Sequence, residues 1–218
     1  MKMTTAQEAV SHIKDGMTVM IGGFLSNGTP EILMNAIVER KIKDITVIAN
    51  DGGTPGTGVA KLIGAGLVKK LIATHIGMNA QVGQLMNEGT LEVELVPQGT
   101  MAERIRAGGA GLGGILTQTG LGTEVSNGKE IITVDGKEYL LEKPLRADVA
   151  LLRGSIVDED GNMFYKGTTR NFNPLMATAA DLVIVAAEEI VQVGEISGEC
   201  IVTPGIFVDY IVGGEHYV

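Results

Sequence analysis

The sequence predicts an α/β protein organised on an open, mostly parallel β-sheet. Short β-branched runs alternate with helical apolar periodicities through the first half of the chain. Several of those runs end in glycine-rich loops, as strands do where they feed crossover helices. No tandem repeat and no long linker divides the chain, so one domain over 1–218 is expected. Ligands bind such sheets outside the carboxyl ends of the strands. The loops at Gly22, Asn50, His75 and Gln98 should therefore converge on one edge.

The elements follow in order. Thr5-Ala6-Gln7-Glu8 has the form of a capping box, and Ala6, Ala9, Val10 and Ile13 give a first helix its apolar stripe. Asp15-Gly16 ends that helix and feeds a strand over 18–21. The strand breaks into Gly22-Gly23, then Phe24, Leu25, Ser26 and Asn27, and the loop closes at Gly28-Thr29-Pro30. Ile32, Leu33, Ala36 and Ile37 recur at helical spacing, predicting a helix over 30–40 with Thr29 as N-cap and Pro30 first in the helix. Such a strand, tight loop and helix start can hold an anion, because glycine permits close backbone approach and helix N–H groups face the loop. The same spacing also serves as a plain structural turn. It is not G-x-G-x-x-G and lacks the Lys-Ser/Thr of a phosphate loop, which gives a dinucleotide fold little support.

A strand over 45–49 ends in a second glycine-rich loop beginning Asn50-Asp51-Gly52-Gly53. A helix over 59–65, a strand over 70–74 and a helix over 80–87 continue the alternation. In the strand over 91–96, Leu91, Val93 and Leu95 alternate with Glu92 and Glu94, predicting one wet face. Pro97-Gln98-Gly99-Thr100 turns it into a helix over 101–106. Residues 106–114 read either as a flexible linker or as a segment pressed against other backbone. Strands over 131–134 and 137–141 flank Asp135-Gly136, predicting a β-hairpin with a type I′ turn, inserted at about 115–145. Apolar strands over 147–152 and 182–187, a turn over 158–162, an alanine-rich helix after Asn173-Pro174 and a last strand over 206–212 complete the chain.

At 218 residues the chain can bury a substantial core. Hydrophobic residues make up 44%, and the mean hydropathy of +0.23 is apolar enough to suggest that another subunit covers some surface. No apolar run approaches the ~18–20 residues of a membrane-spanning helix, so no membrane association is expected. MKMTTAQEAV lacks the apolar core of a signal peptide, and a single cysteine, Cys200, fits a reducing cytoplasm, the expected location. A net charge of −9 argues against nucleic-acid binding.

No constellation for standard catalysis is complete. His12 falls on an exposed helix face and His216 in the C-terminal tail, while His75 follows a strand and either touches a pocket or is a satisfied structural histidine. There is no zinc-spaced Cys/His/Asp cluster and no G-x-S-x-G elbow. Glu188-Glu189, at a strand end, reads as an acid pair or as solvated charge. Asn50 and Gln98 are neutral donors at strand ends, suited to a carboxylate or developing oxyanion; local turn bonding is the other reading of Asn50. The residues alone describe an anion cradle without a nucleophile.

Motifs running through nearly the whole chain resemble the A (α) subunit of class I, or 3-oxoacid, CoA-transferases. They are Asp15-Gly16, Val19-Met20-Ile21, Gly22-Gly23-Phe24, Gly28, Pro30, Val96-Pro97-Gln98-Gly99-Thr100 and Glu103 through Gly109. The likeness continues over 116–122, Ala147-Asp148-Val149-Ala150 and Arg170-Asn171-Phe172-Asn173. It is strongest to bacterial acetate and butyrate–acetoacetate enzymes. The resemblance implies an open sheet with helices on both faces, and CoA or acyl-CoA as substrate with no prosthetic group and no metal. It assigns the loop Gly22, Gly23, Phe24, Leu25, Ser26, Asn27 and Gly28 to CoA binding, at the phosphates or at the pantetheine and thioester. It sets Asn50 and Gln98 facing the acyl or carboxylate group of short-chain carboxylates. The family's catalytic glutamate lies in a Ser-Glu-Asn-Gly motif of a β subunit, and no such motif occurs in this sequence. The resemblance therefore implies half of an α2β2 enzyme with a ping-pong mechanism. The rival expectation is a stand-alone sugar-phosphate or effector-binding domain of similar fold.

Overall fold

The structure, a computed structural model, describes residues 2–213, so His216 lies outside the described residues. Strand β1 (Lys2–Thr4) leads into α1 (Ala6–Ala9), which continues as a 3-10 turn over Val10–His12. Thr5 caps α1 by accepting from the Glu8 N–H at 3.2 Å, as its sequence implies, but the helix tightens after one turn. Ala9, Val10 and Ile13 are nevertheless buried. His12 is exposed and stacks on Tyr210 with ring centroids 4.8 Å apart.

Next come β2 (Thr18–Ile21), α2 (Glu31–Arg40), β3 (Ile45–Ile48), α3 (Val59–Gly64), β4 (Val68–Ala73), α4 (Ala80–Asn87), β5 (Glu92–Leu95) and α5 (Gln98–Gly109). A small sheet of β6 (Ile115–Thr117), β7 (Ile131–Val134) and β8 (Lys137–Glu142) interrupts the pattern. The chain then returns through β9 (Ala147–Asp158), β10 (Met163–Phe164), α6 (Asn173–Met176), β11 (Ala180–Val191) and β12 (Tyr210–Gly213).

The main sheet runs β1-β12-β11-β9-β2-β3-β4-β5, every pair parallel, with β10 added antiparallel to β9. From its centre the chain steps outward through β2, β3, β4 and β5, then returns to pair β9 with β2 and steps outward the other way. The gap between β2 and β9 is thus a switch point, where neighbouring crossovers leave in opposite directions and open a crevice at the carboxyl edge. Helices cover both faces. Leu33, Met34, Ile37, Leu62 and Val82 of α2 to α4 pack in one core, and Met101, Ile105 and Met176 of α5 and α6 pack in the other.

Several elements differ from the expectations. The edge strand β5 has no clean wet face: Leu95 is 52% exposed, while Glu94 is half-buried against cations from neighbouring elements. Pro97 caps α5, so Gln98 is the first residue of that helix and not part of a turn. Residues 106–109 are helical, and a Cβ on Gly108 would lie 2.0 Å from the Leu145 carbonyl oxygen, which decides for the pressed segment over the linker. Residues 115–142 hold three strands, one more than a hairpin, because β6 pairs with β8. The turn itself has φ +49° at Asp135 and +74° at Gly136, as type I′ requires. The alanine-rich stretch is not a helix: α6 lasts four residues, and Ala180 already begins β11. β9 and β11 each run twelve residues, so Glu188 and Glu189 sit inside a strand and not at its end. Glu188 pairs with Arg153 of β9 at 2.7 Å and Glu189 with Lys166 at 3.7 Å. Among the described residues no helix is long and apolar enough to cross a membrane.

Candidate active site

The β2 loop lies at the switch point and is bolted to the segment before α6. The Gly22 N–H continues the ladder by donating to Leu151 of β9 at 3.0 Å. Asn171 Oδ1 accepts from the Gly23 N–H at 3.0 Å, and its Nδ2 donates to the Asn27 carbonyl at 3.0 Å. Asn173 Nδ2 donates to the Gly28 carbonyl at 3.0 Å, while its Oδ1 accepts from the Arg153 N–H. The glycines are required by these neighbours. A Cβ on Gly22 would fall 1.8 Å from Asn173 Oδ1, and one on Gly23, at φ +129°, 2.0 Å from Thr29 Oγ1. The sequence predicts Thr29 as the N-cap of α2 with Pro30 first in the helix, but the Thr29 hydroxyl turns to the Leu25 carbonyl and Pro30 is itself the capping residue.

With the glycines facing inward, Phe24, Leu25, Ser26 and Asn27 face outward. Together with Thr54, Thr168 and Asn171 they line a cavity of about 710 Å³. Phe24 forms its rim and is 45% exposed. Leu25 has φ +54°, a left-handed conformation uncommon for a residue with a side chain. Its N–H donates to the carboxylate of Asp51 at 2.8 Å. Asp51 is 4% exposed and also accepts from Gly53 N–H at 2.8 Å and from Asn50 Nδ2 at 2.6 Å. Asn50, 1% exposed, accepts at Oδ1 from Gln98 Nε2 at 2.6 Å.

The loop after β2, the loop after β3 and the start of α5 are therefore joined in one hydrogen-bonded unit, which brings together Gly22–Gly28, Asn50 and Gln98. Asp51, Asn171 and Asn173 were not singled out as site residues in the sequence. Asp51 reads as turn chemistry beside Gly52-Gly53, and its partner Leu25 lies 26 residues away. Asn171 and Asn173 belong to the motif Arg170-Asn171-Phe172-Asn173, the one signal the sequence carries for them. His75 is half-buried and adjoins Asp51 through an isolated β-bridge, but does not line the cavity. Among the described residues no cluster of three His, Cys, Asp or Glu side chains could hold a metal ion.

The family description of coenzyme A transferase matches residues 3–214. The chain belongs to the coenzyme A transferase family. Over 93% of its length it is 58% identical to the acetoacetyl-CoA:acetate/butyrate CoA transferase alpha subunit of Clostridium acetobutylicum, covering 93% of that protein. It is 51% identical to the acetate CoA-transferase subunit alpha of Escherichia coli K12, over 97% of this chain and 96% of that protein. Its fold matches the acyl-CoA transferase YdiF of Escherichia coli O157:H7, solved as a thioester complex with CoA, with a TM-score of 0.87. That likeness, at 22% identity, covers 99% of this chain and 48% of YdiF, so the CoA-transferase chain described here spans about half of that larger polypeptide.

Proposed function

We propose that this chain is the α subunit of a heteromeric CoA-transferase that moves CoA between a short-chain acyl-CoA or 3-oxoacyl-CoA and a carboxylic acid such as acetate, butyrate or acetoacetate. The observation that carries this reading is the 51–58% identity, over 93–97% of the chain, to proteins named as α subunits of such enzymes. The site supports it: none of the cavity-lining residues is a His, Cys, Asp, Glu, Lys or Arg. The cradle holds hydroxyls and amides, and the carboxylate behind it, Asp51, is buried and engaged by the Leu25 and Gly53 N–H groups and by Asn50. The reactive carboxylate therefore arrives from a partner β subunit, whose Ser-Glu-Asn-Gly glutamate adjoins the crevice in an α2β2 assembly.

That glutamate attacks the acyl-CoA carbonyl carbon and expels CoA thiolate, giving an acyl-glutamyl anhydride. The thiolate attacks the glutamyl carbonyl, releases the acyl group as its carboxylate and leaves a glutamyl-CoA thioester. An incoming carboxylate reverses both steps and departs as the new acyl-CoA. This chain contributes positioning, with remote binding energy from CoA offsetting a weak nucleophile. The loop Gly22–Gly28 receives the pantetheine and thioester end, because a cavity without cationic side chains is a poor host for phosphates. Gln98, backed by Asn50, faces the acyl or carboxylate oxygen. No prosthetic group enters these steps, and the enzyme works in the cytoplasm.

The test is to purify the chain with its partner and assay CoA transfer from acetoacetyl-CoA or butyryl-CoA to acetate. The pair is expected to turn over and the chain alone to be inert. Turnover by the chain alone, or tight binding of a sugar phosphate without CoA transfer by the pair, contradicts the proposal.

A further inference from the structure

A carboxylate can only accept hydrogen bonds, whereas an amide has one accepting and one donating end. That asymmetry gives the Asp51–Asn50–Gln98 chain a direction. Asp51 Oδ2 accepts from Asn50, so the Asn50 NH₂ group must face it at 2.6 Å. Asn50 Oδ1 is then turned the other way, where it accepts from Gln98 Nε2 at 2.6 Å; the Thr74 hydroxyl lies 3.3 Å from that oxygen and donates to the Asn50 carbonyl at 2.8 Å. Gln98 is thereby held with its NH₂ end toward Asn50, which takes one of its two N–H groups and leaves the other for a ligand. Gln98 is the exposed member of the chain, and Asn50 is 1% exposed.

We propose that Asp51 is a positioning residue that acts through Asn50 to fix the direction of the Gln98 amide, so that Gln98 offers an N–H and not a carbonyl to the substrate oxygen. Asn50 is on this account a relay behind Gln98, and Gln98 is the group that touches substrate. The substrate in question is the acyl or carboxylate group of the reaction above, so the assignment rests on the transferase reading. Without the acceptor-only anchor both amides can turn over together, and a turned Gln98 would set a carbonyl oxygen against an anion. The same carboxylate holds the Leu25 N–H and the Gly53 N–H, so the loop and the amide pair share one anchor.

The experiment is a double-mutant cycle on the chain assembled with its partner subunit, combining Asp51→Asn with Gln98→Ala. Turnover by the wild-type pair is measured first, and its absence counts against the transferase reading itself. Asp51→Asn alone is expected to lower kcat/KM for the carboxylate acceptor about 10- to 100-fold, the scale of a hydrogen bond to a charged group. In the Gln98→Ala background the same change should cost several-fold less than it does alone, because the group it orients is gone and only its hold on the loop remains. An equal loss in both backgrounds, which a purely structural effect on the loop would give, overturns the proposal, as does no loss in the first. Should Asp51→Asn fail to assemble, neutron diffraction of the wild-type complex reads the direction itself. Deuterium on Asn50 Nδ2 aimed at Asp51, and on Gln98 Nε2 aimed at Asn50, supports the relay. A reversed or mixed amide orientation overturns it.

Discussion

Gly22 has no room for a side chain, and what excludes one is the protein itself. A methyl group there would overlap Asn173 Oδ1 at 1.8 Å and break the bond that oxygen receives from the Arg153 N–H. Gly22→Ala is therefore expected to cost about 1–3 kcal/mol by overpacking, seen as a lower urea midpoint. Phe24 is the opposite case. Its ring stands 45% exposed on the cavity rim, so Phe24→Ala should leave the midpoint nearly unchanged while raising KM for acyl-CoA. A stable Gly22→Ala, or a Phe24→Ala whose KM matches wild type, would separate the loop from the role assigned to it. Gly23 cannot serve as a purely functional probe, because its φ of +129° and the Thr29 hydroxyl make any substitution there structural.

At the scale of elements, the small sheet is tied to the main one by charge. Lys70 of β4 meets Glu92 at 2.8 Å and Glu94 at 3.1 Å on β5, and Glu94 also meets Arg104 of α5 at 3.3 Å. Arg104 approaches Glu142 of β8, a carboxylate only 2% exposed that is also paired with Lys129. Burial opposes ionisation of Glu94, but the hydrogen bonds and charges of Lys70 and Arg104 outweigh it and hold its carboxyl below the usual range. Lys70 is raised, chiefly by its hydrogen bond to Glu92. A depressed carboxyl stabilises the fold above its unfolded pKa of about 4.3, and that contribution is lost as pH falls through the lower folded value. A raised lysine contributes below its unfolded pKa of about 10.4 and loses the contribution as pH rises through the folded one. Urea midpoints taken from pH 5 to pH 3 should therefore fall less steeply for Glu94→Gln than for wild type; parallel curves would refute the assignment. The effect is modest, since Glu94 is 37% exposed.

Local signals made some of these elements legible. The β2 strand, its glycine pair and the α2 periodicity lie within about twenty consecutive residues, and Asp135-Gly136 fixes its turn by φ alone. What was hidden depends on distant partners. β9 and β11 run past Leu152 and Ala187 because Arg153 and Glu188 neutralise each other across the strands, whereas each charge by itself reads as a strand end. β1 is three residues long and exists through its pairing with β12 at the far end of the chain. In the site, the glycines and the Asn50–Gln98 pair were visible as residue types. The buried carboxylate of Asp51 that organises them was not, because nothing near it in sequence marks Leu25 as its partner.

Taken whole, the molecule is a two-faced sheet with a crevice at the β2–β9 switch point and an uncharged cradle within it. The full-length match to α subunits and the coverage of about half of a longer acyl-CoA transferase fit the same picture. On the proposed function, this chain supplies binding and positioning, and the covalent step belongs to the partner subunit. Which polypeptide carries the covalent intermediate decides between the two halves. The purified pair is incubated with acetoacetyl-CoA without an acceptor acid, and each polypeptide is weighed by intact-mass spectrometry. The account predicts a mass increase of one CoA less one water on the partner subunit, removed by acetate, with this chain unmodified. A CoA or acyl adduct on this chain would contradict it.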